Sequence, residues 1–501
     1  MKRLLLFIAL SMPLLLQAQS DVEALRYSML DLGGTARFIG AGGAFTGLGG
    51  DFSSVSQNPA GLGVFRKSEF FFAPEFDLNS TNSRYFENAS PESKLNFNVN
   101  GFGLVFNKNH FDRRGNQRKR GWVATNFAFG YNRLANFNTN FSFNGVNPDN
   151  SLLQRYALDA SQGGGTQPSQ VYSQFPYGAG LAYEAYLIDP TFPDTTSYVS
   201  RAPYGGVQQS QRFRSRGAID EWTVAVGANV SNRFFIGGTI GIPNLKYIQQ
   251  TNQYSEFDIN DTIPGFDNFT KDEALETRAT GINAKLGVLA YVTDNIRVGA
   301  AVHTPTFFRM RDNFFSIMFS DVENATYEIQ SPNGQFVYNL VTPWRVMAGA
   351  SAVFPGIGYL SADYEFVDYA NSRFRFNSAA DQAFETELNN MIDNKYQGIH
   401  IIRFGGEYVY EVYRFRAGFN HHTAALQEGL APEGADYTRN VFTLGFGLRG
   451  KVLYFDAAYV YSRFRNSYIP YTLSELPGET VRGALIDDNT HRVNMTFGVR
   501  F

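Results

Sequence analysis

The chain has 501 residues, with 43 Lys and Arg against 46 Asp and Glu (net charge −3) and no cysteine. The missing cysteine excludes disulfides, thiolate metal sites, thiol nucleophiles and lipid attachment through sulfur; the near-balanced charge argues neither for nor against nucleic acid, and no nucleic-acid partner is expected. Mean hydropathy is −0.25 and no later stretch reaches the roughly 18 apolar residues of a spanning helix, so a bundle of membrane helices is excluded, whereas 47 Phe, 28 Tyr and 48 Gly favour strands.

The chain opens with Met1-Lys2-Arg3, an apolar core from Leu4 to Leu16, and Gln17-Ala18-Gln19. A basic head, a short greasy core and a small residue before a polar run predict a secretory signal peptide over 1–18, cleaved after Ala18. Residues 19–66 are rich in Gly and Ala and lack alternation: Gly33-Gly34, Gly40-Ala41-Gly42-Gly43-Ala44-Phe45, then Ser56-Gln57-Asn58-Pro59-Ala60-Gly61-Leu62. Small residues allow tight packing and Asn-Pro starts a turn. This segment is expected to form a compact plug.

From residue 67 onward the pattern becomes period two. Trp222, Val224 and Val226 oppose Thr223 and Gly227; Ile282, Leu286 and Val288 oppose Asn283, Lys285 and Gly287; Phe415 and Phe419 oppose Arg416 and Gly418. The last strand alternates Val493, Met495, Phe497, Val499 and Phe501 with Arg492, Asn494, Thr496, Gly498 and Arg500, and ends on an aromatic. Joints alternate short and long. Val230 to Phe234, Val292 to Ile296 and Phe354 to Gly358 are short, while 144–206, 258–276, 309–342, 368–399, 421–438 and 462–490 are long and polar. Short turns at one end and long loops at the other belong to an outer-membrane barrel. The predicted fold is therefore all-β: a transmembrane antiparallel β-barrel of about 14 strands over 67–501, its wide lumen filled by the N-terminal hatch.

Two strands are predicted to be irregular. The phase slips near Gly101, as a bulge would make it do. The stretch from Trp122 to Phe143 is long and asparagine-rich, so a break is expected around Tyr131–Phe137. The basic run Arg113-Arg114…Arg118-Lys119-Arg120 between them reads as a solvated periplasmic turn.

Little points to covalent chemistry. Gly445-Phe446-Gly447-Leu448-Arg449-Gly450-Lys451 contains a GxGxxG, but Val452 stands where a phosphate loop needs Ser or Thr. No nucleophile constellation appears, so no enzyme, cofactor or metal is expected. Arg297, Arg403, Arg414, Arg416, Arg492 and Arg500 fall on the inward phase. They are expected to form ion pairs with Asp363 and Glu365, and Arg403 and Arg416 are candidate anchors for a ligand carboxylate, which an arginine fork fits.

The order of motifs resembles the FadL/TodX family of outer-membrane long-chain fatty-acid and hydrophobic-compound transporters. Ala36-Arg37-Phe38-Ile39-Gly40-Ala41-Gly42-Gly43-Ala44-Phe45 is similar to the family's plug motif A-R-x-x-G-x-G-G-A-F, and Asn58 to Leu62 matches N-P-A-G-L. Asp363-Tyr364-Glu365-Phe366-Val367-Asp368-Tyr369 and Phe415-Arg416-Ala417-Gly418-Phe419 match two strand motifs. The resemblance implies passive uptake of a hydrophobic small molecule through the bacterial outer membrane, with outer-membrane lipid around the wall. Asn58, Pro59, Ala60, Gly42, Gly43 and Phe45 would form and gate the hatch. A kink of the third strand near Asn132, Arg133 and Asn136 would open the side. Arg133 stands where the family carries glycine and lacks its backbone freedom. Two other readings stay open: a component of a protein-secretion apparatus, with 144–206 and 368–399 as surfaces for other outer-membrane proteins, and a haem receptor using His421 or His422.

Overall fold

The computed structural model describes residues 20–112, 114–202, 206–260, 262–473 and 481–501. The expected signal peptide over 1–18 and Arg113 of the basic turn lie outside the described residues.

Fourteen antiparallel strands close into a barrel. They are β1 (Glu69–Tyr85), β2 (Asn88–Asn109), β3 (Trp122–Asn136, resuming as Thr139–Asn147), β4 (Val207–Val230), β5 (Phe234–Phe257) and β6 (Phe266–Tyr291). Next come β7 (Ile296–His303, resuming as Phe307–Val322), β8 (Gly334–Val341, resuming as Arg345–Phe354) and β9 (Gly358–Asp368, resuming as Arg373–Arg375). The last are β10 (Gly398–Tyr410), β11 (Tyr413–His422), β12 (Arg439–Arg449), β13 (Leu453–Tyr468) and β14 (Ala484–Arg500). β14 returns to β1, pairing Arg500 with Glu69 and Val499 with Phe70, so the sheet closes on itself.

The alternation explains the closure. Phe415, Leu444, Val493 and Phe497 are exposed outward, while Arg416, Thr443, Asn494 and Thr496 are buried inside. An apolar outside and a polar inside invert a water-soluble protein and suit a wall surrounded by lipid. Trp122, Phe234, Phe354, Tyr410 and Tyr413 cluster, exposed, at the short-turn end, as an interfacial aromatic girdle does.

Register between β1 and β2 shifts at Ala73/Pro74, leaving Asn100 as the extra residue beside Gly101. The long-loop end departs from expectation. Most of 309–342 and part of 258–276 is strand: β6 starts at Phe266, β7 runs to Val322, and a hairpin strand at Ala325–Gln330 extends the sheet. Past the apolar band both faces of a strand are wet, so the alternation that betrays a strand fades. The other long connections fold too. α3 (Leu152–Ser161), α4 (Pro168–Gln174) and α5 (Ala179–Glu184) cap the mouth, and α6 (Gln382–Lys395) lies over the lumen.

The core lies within the barrel. Hatch residues Ala24 and Tyr27 cluster with Tyr247, Met310 and Tyr338 of the wall and with Leu388 and Ile392 of α6. Thus 368–399 is not a free external surface throughout, because the apolar face of α6 turns inward.

Candidate functional site

The hatch comprises two short helices and two 3-10 turns. Asp21–Ser28 is capped by a box between Ser20 and Glu23. Ala36–Gly40 starts at Thr35, whose hydroxyl accepts from the Phe38 amide. The turns are Phe52–Ser56 and Pro59–Val64. Gly42 and Gly43 both take positive φ (64° and 70°), which an L side chain adopts at a cost. Phe45 is buried against Phe38 and Tyr359.

Asn58 is the pivot of the docking. Its Nδ2 donates to Thr46 O (2.7 Å) and to Val288 O of β6 (3.1 Å), and its Oδ1 accepts from the Ala60 amide (3.1 Å). Pro59 and Ala60 begin the turn that this side chain caps. Asp363 of β9 was expected in an ion pair; it instead accepts from the Thr46 amide (2.8 Å) and Gln57 Nε2 (3.1 Å). Its position beside Gly349 and the hatch backbone leaves it to hydrogen-bond the plug. Thr496 and Thr443 accept from the amides of Ala36 and Gly42. Neither threonine nor Gln57 carries a signal in sequence, since a polar inward residue looks the same whether it meets water or a plug.

Above the hatch lies a cavity of about 430 Å³. Phe137, Phe141, Phe213 and Tyr468 supply aromatic faces, while Asp31, Asp77, Arg439 and Arg492 bring charge. A second cavity of about 90 Å³ lies deeper, bounded by Leu30–Gly34, Asn132, Arg133, Glu365 and Arg403. Asp31 borders both. It pairs with Arg439 at 2.8 Å. Burial raises its pKa, but Arg439 and Arg492 outweigh that and hold the carboxyl below the usual carboxylate range. In the hatch helix, burial first and the like charge of Asp312 second push Glu23 up to about 8.

The structure separates the two arginine anchors. Arg416 is sealed from solvent between Glu407 (2.6 Å) and Asp456 (2.8 Å), bounds neither cavity, and serves the wall. Arg403 faces the deeper cavity. Its Nη2 donates to Glu365 (2.5 Å), which Arg345 also engages (2.7 Å), and its Nη1 has no partner among the described residues. No alternation upstream points to Arg345, because it begins a strand segment after a break. Arg414 turns to the Glu411 and Tyr413 carbonyls, Arg500 pairs with Glu69, and Arg492 reaches Leu32 O and Glu75. Arg297 donates to Leu48 O.

β3 breaks at 137–138, where its two segments part. Below the break β2 and β3 pair from Gly101↔Asn132 downward. Above it, β3 continues on β4 alone (Thr139↔Ser215), and β2 on β1 alone. Side chains cross the seam instead. Arg133 bridges Asp220 (2.9 Å) and Asn98 (2.6 Å), and Lys94 Nζ donates to Ser215 O (2.9 Å). Asn132 donates to Ser56 of the hatch, and Asn136 to Asp77. His421 and His422 fall on opposite faces: His421 meets Asn440 (2.8 Å), and His422 lines the deeper cavity.

No family model matches the sequence, and no curated protein does. Solved structures do. The P. putida toluene transporter TodX is 12% identical over 94% of this chain and 99% of its own, with a TM-score of 0.53. A Pseudomonas aeruginosa FadL homologue is 12% identical over 94% and 98%, TM-score 0.53, and the monoaromatic hydrocarbon channel CymD is 12% identical over 94% and 99%, TM-score 0.50. The chain accordingly has the fold of the FadL/TodX-type barrels, a closed 14-strand wall around an N-terminal plug.

Proposed function

We propose that this protein is an outer-membrane channel for a small, largely hydrophobic compound, entering from the long-loop side and leaving sideways through the seam between β2 and β3. The observation that carries the reading is the join of that seam to the lumen: the residues flanking the break, Asn136 to Thr139, also bound the 430 Å³ cavity. Aromatic side chains there desolvate a ring or chain, each such burial worth roughly 1.5–3 kcal/mol. The unpartnered Nη1 of Arg403 suits an acidic headgroup in the deeper cavity. Asn58, with Pro59 and Ala60, retains the hatch while ligand passes. The solved neighbours described as toluene and monoaromatic channels lend the ligand class their support.

The chain contains no cysteine, so a pair introduced at Asn98 and Arg133, whose side chains meet at 2.6 Å, can be bridged by a short bifunctional thiol reagent. Bridging should stop uptake of a hydrophobic probe into proteoliposomes. Unchanged uptake in the fully bridged protein would refute the side exit.

One observation favours a second reading, a partner protein at the cell surface. Phe192, in the folded insertion between β3 and β4, is 85% exposed. Stoichiometric co-purification of another outer-membrane protein, lost in Phe192→Ser, would move the assignment there.

A further inference from the structure

The outward face of the wall changes chemistry abruptly along one arc. On β4 to β7 the lipid-facing apolar residues end with Trp222, Ile242, Ile282 and Phe307, all exposed. Within a few residues, on the same outward phase and toward the long-loop end, come Arg216, Lys246, Arg278 and Arg309, with Arg214, Arg212 and Arg311 beyond, all exposed. The register aligns three of them. Lys246 sits opposite Arg278, and Arg278 sits opposite Arg311.

Like charges directly opposed across strands destabilise a sheet. Strands lie about 4.8 Å apart, so the row spans about 10 Å. Among the described residues, Arg278 is the one member of these seven with an ion-pair partner, Glu276 at 2.6 Å. The arc thus holds an excess of unneutralised cations at the height where hydrocarbon gives way to headgroups. Guanidinium forks bind phosphate oxygens in pairs. A dissolved anion would not need the apolar shelf immediately below, whereas an amphiphile uses both.

We propose that this arc binds a phosphorylated glycolipid of the outer leaflet, its acyl chains against Trp222, Ile242, Ile282 and Phe307 and its two phosphates across Lys246, Arg278 and Arg311. The inference rests on the outer-membrane placement but not on the ligand that the lumen carries. A lipid seated there would neutralise a repulsive row and hold β4 to β7 at a fixed height, on the half of the barrel that bears the extracellular cap.

The test uses the full chain, purified in non-ionic detergent and stripped of lipid. Retention of bis-phosphorylated lipid A is measured by native mass spectrometry against its enzymatically dephosphorylated form and phosphatidylglycerol. The phosphorylated form should bind at least about tenfold tighter than either, and the preference should fall with added KCl. Lys246→Gln/Arg278→Gln/Arg311→Gln should abolish it. Should that variant not assemble, Arg311→Gln alone and the wild-type salt titration decide. Equal binding of the dephosphorylated lipid or of phosphatidylglycerol, a preference retained in the variants, or a flat salt response would overturn the proposal. Probe uptake into lipid A-free proteoliposomes is read in parallel. Its loss counts against the channel, and loss of lipid preference alone counts against the arc.

Discussion

Replacing Asn58 by alanine should loosen the hatch and leave the barrel standing. The side chain is 1% exposed and makes three hydrogen bonds. Val288 O also sits in a strand paired on both sides, so it loses little. Thr46 O is left without its side-chain donor, and the Ala60 amide loses its cap. A lost cap costs about 1 kcal/mol and an orphaned buried carbonyl about 1–3 kcal/mol. The sum, about 2–4 kcal/mol, should raise local opening by about 30- to 1,000-fold. Hydrogen exchange of the Ala60–Val64 and Thr46–Leu48 amides reads this directly, with the β10–β14 amides as the internal control. Asn58→Asp tests the cause. It retains an acceptor for Ala60 but presents a carboxylate to two carbonyls, so it should be at least as damaging as alanine. Wild-type protection in Asn58→Asp would show that the donated bonds do not hold the hatch, and the reasoning would fail.

Glu23 makes hatch docking pH-dependent. Its pKa rises from 4.5 to about 8 in the folded protein, so the folded hatch keeps a proton that the free segment sheds in that window. The Glu23 contribution to docking is therefore full below about pH 4.5, weakens as pH rises toward 8, and is level beyond; Glu23→Gln should flatten the profile of proteolytic protection of Asp21–Ser28. Gly287→Ala would drive its Cβ into Asn58 and to within 3.1 Å of Pro59 Cδ, costing about 1–3 kcal/mol, whereas Gly238→Ala meets nothing nearer than Leu286 at 3.4 Å and should melt like wild type. Arg133→Ala removes the largely buried bridge to Asp220 and Asn98, about 1–2 kcal/mol, and should speed exchange at Asn132–Ala135 and raise probe uptake; unchanged exchange would mean that the seam is not held there. Asp31→Asn loses the Arg439 pair and should speed exchange at Leu32–Gly34 while leaving the Asn58 region protected.

Where one face of a strand met lipid, the sequence was readable. Val493, Phe497, Phe415 and Leu444 are apolar because they have no choice, and their phase predicts the wall. The bulge near Gly101 was legible as a disturbance of that phase, and the break in β3 from the length and asparagine content of its segment. Inward residues were not. Arg416 and Arg403 share a phase and a residue type, yet one is sealed between two acids and the other faces a cavity. Asp363 and Glu365 stand two apart on one strand, and one holds the plug while the other bridges two arginines. Those fates depend on what the hatch presents at each height, and no local pattern encodes it. The extended strands past Ile282 and Phe307 hid for a related reason, since water on both faces removes the constraint.

The hatch is held unevenly, and that bears on how a path opens. Much of Ala36 to Val64 meets the wall through backbone: Gly40 lies against Gly445, Gly42 against Gly418, and Gly63 against Ala228. Such contacts leave no slack, because no flexible side chain stands between the two backbones. The first hatch helix, Asp21–Ser28, is held by Lys395 and Tyr396, both on Asp21. Between these anchors, Met29 to Gly34 has lighter restraint: the Asp31 amide on Leu134 O, its carboxylate with Arg439 and the Asn136 amide, Leu32 O with Arg492, and Gly34 O with the Asn100 amide group at 3.4 Å. This same stretch separates the two cavities. The free energy needed to shift it is a few partly hydrated hydrogen bonds, whereas undocking the hatch means breaking a buried backbone interface along nearly thirty residues. The connecting segment therefore yields first, and the Asn58 cluster functions as the fixed frame against which it moves.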